Sequence, residues 1–174
     1  MKTTFIHQSG GYRSLNISVP VAGKRLLLVV IVIDVSGSMS ENGKIQSVQY
    51  GMEAALRSIR AHLQGKEGID AQLVVIGYGE HARVLLGPVS VETAELPTLV
   101  ADEQTTLAAE AIELLNRKVH ELIEGRKMLK PVLVLVSDGL AHDKRLWQQK
   151  IDELLATEWC GRRAIRVGIG VSGA

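Results

Sequence analysis

The chain is poor in the residues that form disulfides and membrane spans. It has one cysteine, Cys160, in 174 residues, so no disulfide can form within the chain. Its longest apolar run, residues 26–33, is far shorter than the roughly 20 residues that a transmembrane helix needs. The N-terminus also lacks the apolar core of a secretory signal. We therefore expect no association with a membrane and a cytoplasmic location.

The net charge argues against a nucleic-acid-binding protein, and the low aromatic content defines the kind of core. The formal net charge is +1, which offers no electrostatic footprint for nucleic acid. Aromatic residues make up 3% of the chain and hydrophobic residues 46%. A single domain of this length can bury a full core, and that core must be aliphatic.

Continuous apolar runs rich in β-branched residues are typical of strands that are covered on both faces. Such runs predict strands at 26–33, 70–80, 82–89, 131–136 and 163–171. Residues 91–103 are predicted to form a loop with one helical turn.

Apolar residues spaced three or four apart predict helices over 44–63 and 106–124, the second capped by Gly125. A third helix is predicted to begin after Asp143, which we interpret as its N-cap. Its predicted buried face consists of Trp147, Ile151, Leu154 and Leu155.

This order of elements predicts an α/β fold. We expect a doubly wound, Rossmann-like, mostly parallel central sheet with helices on both faces. The chain is divided into an N-terminal extension, 1–24, with a candidate edge strand at 15–21, and one domain, 25–174. Because the sequence stops directly after the last strand, we expect the final helix that would cover this part of the sheet to be missing, through truncation or because a partner replaces it.

Oxygen-bearing side chains are concentrated just after the buried strands and at the start of the middle helix: Asp34, Ser36, Ser38, Thr105, Thr106, Ser137 and Asp138. In an open parallel sheet, ligands bind outside the carboxyl ends of the strands. Hydroxyl and carboxylate oxygens without Cys or His suit Mg²⁺, Mn²⁺ or Ca²⁺ rather than zinc.

The segments DVSGSM and VSDG, with a threonine between them, resemble the von Willebrand factor A (vWA) domain over about residues 26–171. The resemblance implies a metal-ion-dependent adhesion site (MIDAS) with the pattern Asp-x-Ser-x-Ser, a distant Thr and a distant Asp. Carried onto this chain, it implies the metal residues Asp34, Ser36, Ser38, Thr106 and Asp138. Thr106 is preferred to Thr105 because the following AEAI matches the family, although Gln104 and Thr105 replace two family glycines.

Within the family, residues 130–155 and 164–170 look most like the bacterial TerY-type proteins. These are associated with tellurium resistance, a protein kinase and a PP2C-like phosphatase. The resemblance implies a metal-dependent protein–protein interaction module, an adaptor in a stress-response or kinase–phosphatase assembly. Direct ligation by neutral hydroxyls would leave the ion most of its charge, so that it attracts an acidic side chain of the partner.

A metal-dependent hydrolase or phosphatase is the alternative, because some α/β enzymes place a phosphoryl-accepting aspartate where Asp34 lies. Those sites add a second acidic residue two positions on, where this chain has Ser36. No lysine follows a strand at this rim either. We therefore expect a binding module and not an enzyme, and we interpret His142 as a solvated loop histidine.

Overall fold

The computed structural model describes residues 23–139 and 141–172, so the candidate edge strand at 15–21 lies outside the described residues. The strands are β1 (Arg25–Asp34), β2 (Ile69–Tyr78), β3 (Ala82–Ser90), β4 (Val132–Ser137) and β5 (Ile165–Gly170). The α-helices are α1 (Lys44–Leu63), α2 (Ala108–Ile123) and α3 (Lys144–Ala156). A 3₁₀ segment, Gly37–Gly43, leads into α1, and a π-helical turn, Glu158–Arg163, precedes β5.

The strands form one sheet in the order β3-β2-β1-β4-β5. β1 lies in the centre and pairs in parallel with β2 and β4, so that Val30 lies beside both Val74 and Leu133. β5 continues the parallel sheet beside β4, whereas β3 returns antiparallel to β2 after a tight turn. The predicted α/β fold with a mostly parallel sheet is confirmed.

The core has one layer on each face of the sheet because successive side chains of a strand point to opposite faces. Val30 and Val32 of β1 pack with Ala111 on the α2 and α3 side. Ile31 and Met52 belong to the cluster on the α1 side. The two-sided burial of β1 that its continuous apolar run predicts is therefore observed, and helices cover both faces.

The sheet is less covered at β5 than at its centre. The side chains of Ile165, Val167 and Ile169 are 41–50% exposed. They are in register with the valines of β4 that belong to the α1 side of the sheet. The described helices leave this part of that face open.

Residues 91–103 form a loop that begins with a hydrogen-bonded turn, in which the N–H of Thr93 donates to the carbonyl of Ser90 at 3.1 Å. The side chain of Arg60 donates to the carbonyl of Val91 at 2.8 Å and to that of Ala94, so an α1 side chain holds this loop. One local prediction is wrong. Leu155 is 43% exposed, whereas its neighbour Leu154 is buried, since α3 turns a narrower face to the core than predicted.

Candidate metal centre

The buried carboxylate of Asp34 holds the loop that follows β1. Its Oδ1 accepts a hydrogen bond from the backbone N–H of Ser36 at 3.0 Å, and its Oδ2 accepts from the Ser137 hydroxyl at 2.9 Å. The residue is 1% exposed. Asp34 therefore orients its own loop and ties it to the end of β4.

Ser36 and Ser38 bring their hydroxyls to the same side of this loop. Their Oγ atoms are 3.2 Å apart, and the Ser38 hydroxyl donates to Oδ1 of Asp138 at 3.0 Å. A cavity of about 300 Å³ opens beside them; its lining includes the five predicted metal residues Asp34, Ser36, Ser38, Thr106 and Asp138, together with Gly37, Gln104, Gly139 and His142. The three separate segments of sequence thus meet at one rim of the sheet.

Thr106 and Thr105 differ in their placement. Thr106 is 7% exposed and lines the cavity, whereas Thr105 is exposed and is not among the lining residues. The backbone N–H of Gly37 donates to the carbonyl of Glu103 at 2.6 Å. This bond holds the loop that carries Thr105 and Thr106 against the loop that carries Ser36 and Ser38. The burial of Thr106 and its place in the lining of the cavity favour it over Thr105 as the site residue.

Two interpretations of the loop between β4 and α3 are wrong, those of Asp143 as the N-cap of α3 and of His142 as a solvated histidine. Asp143 occupies the N-cap position of α3 without capping it; its carboxylate instead accepts from the N–H groups of Ala108 and Ala109, at 3.1 and 2.9 Å. His142 is exposed but not merely solvated, because its Nδ1 accepts from the N–H of Thr106 at 3.0 Å. The first amides of α2 have no partners within their own helix, and this loop supplies them.

Lys44 is the residue of the site that sequence reasoning missed. Its Nζ donates to Oδ2 of Asp138 at 2.7 Å and to the carbonyl of Ser38 at 3.1 Å. The bond to Asp138 raises the pKa of Lys44. In the sequence, Lys44 resembles a solvated lysine at the start of a helix. In the structure, the 3₁₀ segment before it, with Gly43 at φ +70°, turns the chain so that Lys44 lies at the rim.

Glu103 and Tyr78 support the edge of the site. Burial acts to raise the pKa of Glu103, but hydrogen bonds from Arg83 and from the N–H of Glu80 outweigh it, and the pKa is lowered. Burial, followed by the charge of Asp34, raises the pKa of Tyr78 well above its usual range. Glu103 is thus held as an anion and Tyr78 as a neutral phenol.

The donors present fit a hard divalent cation. The hydroxyl oxygens of Ser36 and Ser38 are 3.2 Å apart, close to the about 3.0 Å between neighbouring ligands of a six-coordinate Mg²⁺. Hydroxyls are oxygen ligands of the kind that this ion accepts, and the carboxylate of Asp138 holds one of them, that of Ser38, in place. Among residues 23–139 and 141–172, no group of three or more His, Cys, Asp or Glu is placed to hold an ion.

An α/β sheet with a polar cavity at the carboxyl ends of its parallel strands defines a Rossmann-like domain. The family model of the von Willebrand factor type A domain matches residues 29–141, and the chain belongs to this family. A search of curated proteins finds no match. None of the described helices is both long and apolar enough to cross a bilayer.

Several solved structures share the fold. A von Willebrand factor type A protein from Catenulispora acidiphila is 18% identical, with a TM-score of 0.57 over 86% of this chain and 34% of that one. The ArnB paralog VWA2 from Sulfolobus acidocaldarius is 21% identical, with a TM-score of 0.51 over 86% and 36%. The vWF domain of the type V pili tip protein Mfa5 from Porphyromonas gingivalis is 18% identical, with a TM-score of 0.52 over 70% and 40%. The chain therefore spans well under half the length of these relatives.

Proposed function

We propose that the protein is a metal-dependent protein–protein interaction module that binds an acidic side chain of its partner at a MIDAS-type site. One observation carries the proposal: the hydroxyl-bearing residues Ser36, Ser38 and Thr106 line a single cavity together with Asp138. vWA domains are commonly protein-interaction modules, which supports the same class of function.

The residues divide into two roles. Ser36, Ser38 and Thr106 would hold the ion, which we propose to be Mg²⁺, with Mn²⁺ and Ca²⁺ as the other candidates. Asp138 orients the Ser38 hydroxyl by accepting its hydrogen bond, and Asp34 orients the loop that carries both serines by accepting from the backbone N–H of Ser36. When bound, the ion supplies an electrophilic position for a carboxylate. Since the direct donors are neutral, none of them offsets the charge of the ion.

The placement of Asp34 supports a binding module over a hydrolase. A nucleophilic carboxylate needs an oxygen that is free to attack, but both oxygens of Asp34 accept hydrogen bonds and the residue is 1% exposed. We therefore propose that the protein is not an enzyme. The alternative predicts metal-dependent hydrolysis of a phosphate ester that is lost in Asp34→Asn.

The finer assignment rests on the sequence resemblance to the TerY-type proteins. From it we propose a cytoplasmic adaptor in a tellurium-resistance or other stress-response assembly, with a protein kinase or a PP2C-like phosphatase as partner. The direct test is capture of partners from source cells with and without a chelator. A kinase or phosphatase that is released by the chelator supports this assignment.

The proposed site is tested by two measurements on purified protein. Manganese binding is followed by electron paramagnetic resonance, and binding of a carboxylate by the relaxation of ¹³C-acetate near the Mn²⁺-loaded protein. We expect one strong Mn²⁺ site and enhanced acetate relaxation in the wild type, and the loss of both in Ser36→Ala. Ser58→Ala, an exposed serine of α1, is the matched control and should behave as the wild type. Equal Mn²⁺ binding by wild type and Ser36→Ala contradicts the proposal.

A further inference from the structure

Without Lys44, the formal charges at the proposed metal centre would add up to zero once a divalent cation is bound. The carboxylates that line the cavity are those of Asp34 and Asp138, with a combined formal charge of −2. A divalent cation in the cavity would bring this sum to zero. A neutral centre attracts the carboxylate of a partner only weakly, because the attraction depends on the charge that is left over.

Lys44 supplies the missing charge from the side of the cavity. Its Nζ lies 2.7 Å from Oδ2 of Asp138, and the two side chains are only 12% and 5% exposed. The other oxygen of Asp138, Oδ1, accepts from Ser38. Both oxygens of this carboxylate are therefore bonded, and its charge is offset where little water screens the pair.

The ammonium group also lies outside the set of proposed ligands. Besides Asp138, it donates to the backbone carbonyl of Ser38 at 3.1 Å, not to the Ser38 hydroxyl. Lys44 thus contacts Ser38 and Asp138 and leaves the Ser38 hydroxyl oxygen, which would bind the ion, free of its own hydrogen bonds. Its charge can act on the centre while the hydroxyls remain available.

We propose that Lys44 is a specificity-determining residue of this centre: it weakens the binding of the divalent cation and strengthens the binding of a partner's carboxylate to the cation-loaded protein. The inference rests on the proposed function and adds to it the residue that sets the preference for an anionic ligand. A purely structural Lys44 that only holds Ser38 near Asp138 predicts the opposite change in cation binding, because loosening the loops would weaken it.

The test compares Lys44→Met, which removes the charge, with Lys44→Arg, which keeps it. Lys66→Met is the matched control, since Lys66 is exposed in the loop between α1 and β2, at the amino ends of the parallel strands and away from the cavity. We expect Lys44→Met to bind Mn²⁺ about tenfold more tightly than the wild type and acetate about tenfold more weakly when loaded with Mn²⁺. Lys44→Arg and Lys66→Met should resemble the wild type in both titrations.

If Lys44→Met binds Mn²⁺ as tightly as the wild type or more weakly, the inference is overturned. The proposed function still stands in that case, provided that the wild-type protein binds Mn²⁺. Absence of Mn²⁺ binding in the wild type and in Lys44→Met overturns the proposed function, and this inference with it. A second measurement does not depend on a variant folding. In wild-type protein labelled with ¹⁵N-lysine, Mg²⁺ should shift the Lys44 ammonium signal with the midpoint of Mg²⁺ binding, and an unmoved signal contradicts the role.

Discussion

Thr106 and His142 exchange two hydrogen bonds across the rim of the sheet. The N–H of Thr106 donates to Nδ1 of His142 at 3.0 Å, and the N–H of His142 donates to the carbonyl of Thr106 at 2.9 Å. The pair fixes the loop that places Thr106 at the cavity. His142 is therefore a positioning residue of the proposed metal centre.

Replacing His142 by alanine should weaken Mn²⁺ binding about tenfold, the usual effect of removing a group that orients a metal ligand. His142→Asn keeps an acceptor near the position of Nδ1 and should restore most of the affinity. His120→Ala, an exposed histidine of α2, is the control. Titration with Mn²⁺, followed by electron paramagnetic resonance, measures all three, and wild-type affinity in His142→Ala would refute the positioning role.

Asp143 should stabilise α2 and not the helix that it precedes. Asp143→Ala removes the acceptor of the Ala108 and Ala109 amides and should lower the free energy of unfolding by about 1 kcal/mol. Asp152→Ala, an exposed aspartate of α3, should change it little. Urea denaturation gives the free energies. Hydrogen exchange locates the effect: faster exchange in the first turn of α3, with Ala108 and Ala109 unaffected, would show that Asp143 caps its own helix.

Glu103 should make stability depend on pH in the acid range. Its pKa in the folded protein is lowered from the ordinary 4.5, so the ionised group stabilises the fold above about this pH, and the contribution is lost as the pH falls through the folded pKa. Glu103→Gln should cost about 1–3 kcal/mol at pH 7, with a smaller difference from wild type at pH 3.5. Thermal denaturation at both pH values measures it. A difference that is the same at both, or that Glu95→Gln reproduces, rules out this ion pair as the cause.

Gly87 lies where no side chain fits. Its φ is +91°, and a Cβ would lie 2.1 Å from the carbonyl oxygen of Leu73 on the neighbouring strand. Gly87→Ala should therefore cost at least about 2 kcal/mol of folding free energy. Gly51 of α1 has nothing within 4 Å of an added Cβ, so Gly51→Ala should add about 0.5–1 kcal/mol. Equal chemical-denaturation midpoints for the two variants would refute this reading of the β2–β3 pair.

The elements with the clearest periodicity were predictable from sequence. The predicted helix 44–63 coincides with α1, Lys44–Leu63, because its apolar residues recur every three or four positions, and the continuous apolar run of β1 indicates a central, doubly covered strand. The predicted site residues Ser36, Thr106 and Asp138 share one cavity, since each follows a strand or begins a helix at the same edge of the sheet.

Features that depend on contacts between loops were not predictable. Lys44, His142 and Asp143 look like a helix start, a loop residue and a local cap, because nothing in their own sequence neighbourhood shows which segment lies opposite. The place of β5 was also not predictable. Its apolar pattern indicates a strand, but its position at the edge of the sheet depends on the order of the strands in space.

If hydroxyls from separate loops hold a divalent cation at this rim, anomalous diffraction from crystals grown with Mn²⁺ will show the ion itself. We expect one strong manganese peak bounded by the hydroxyls of Ser36, Ser38 and Thr106. A peak elsewhere, or no peak with these hydroxyls well ordered, would contradict it.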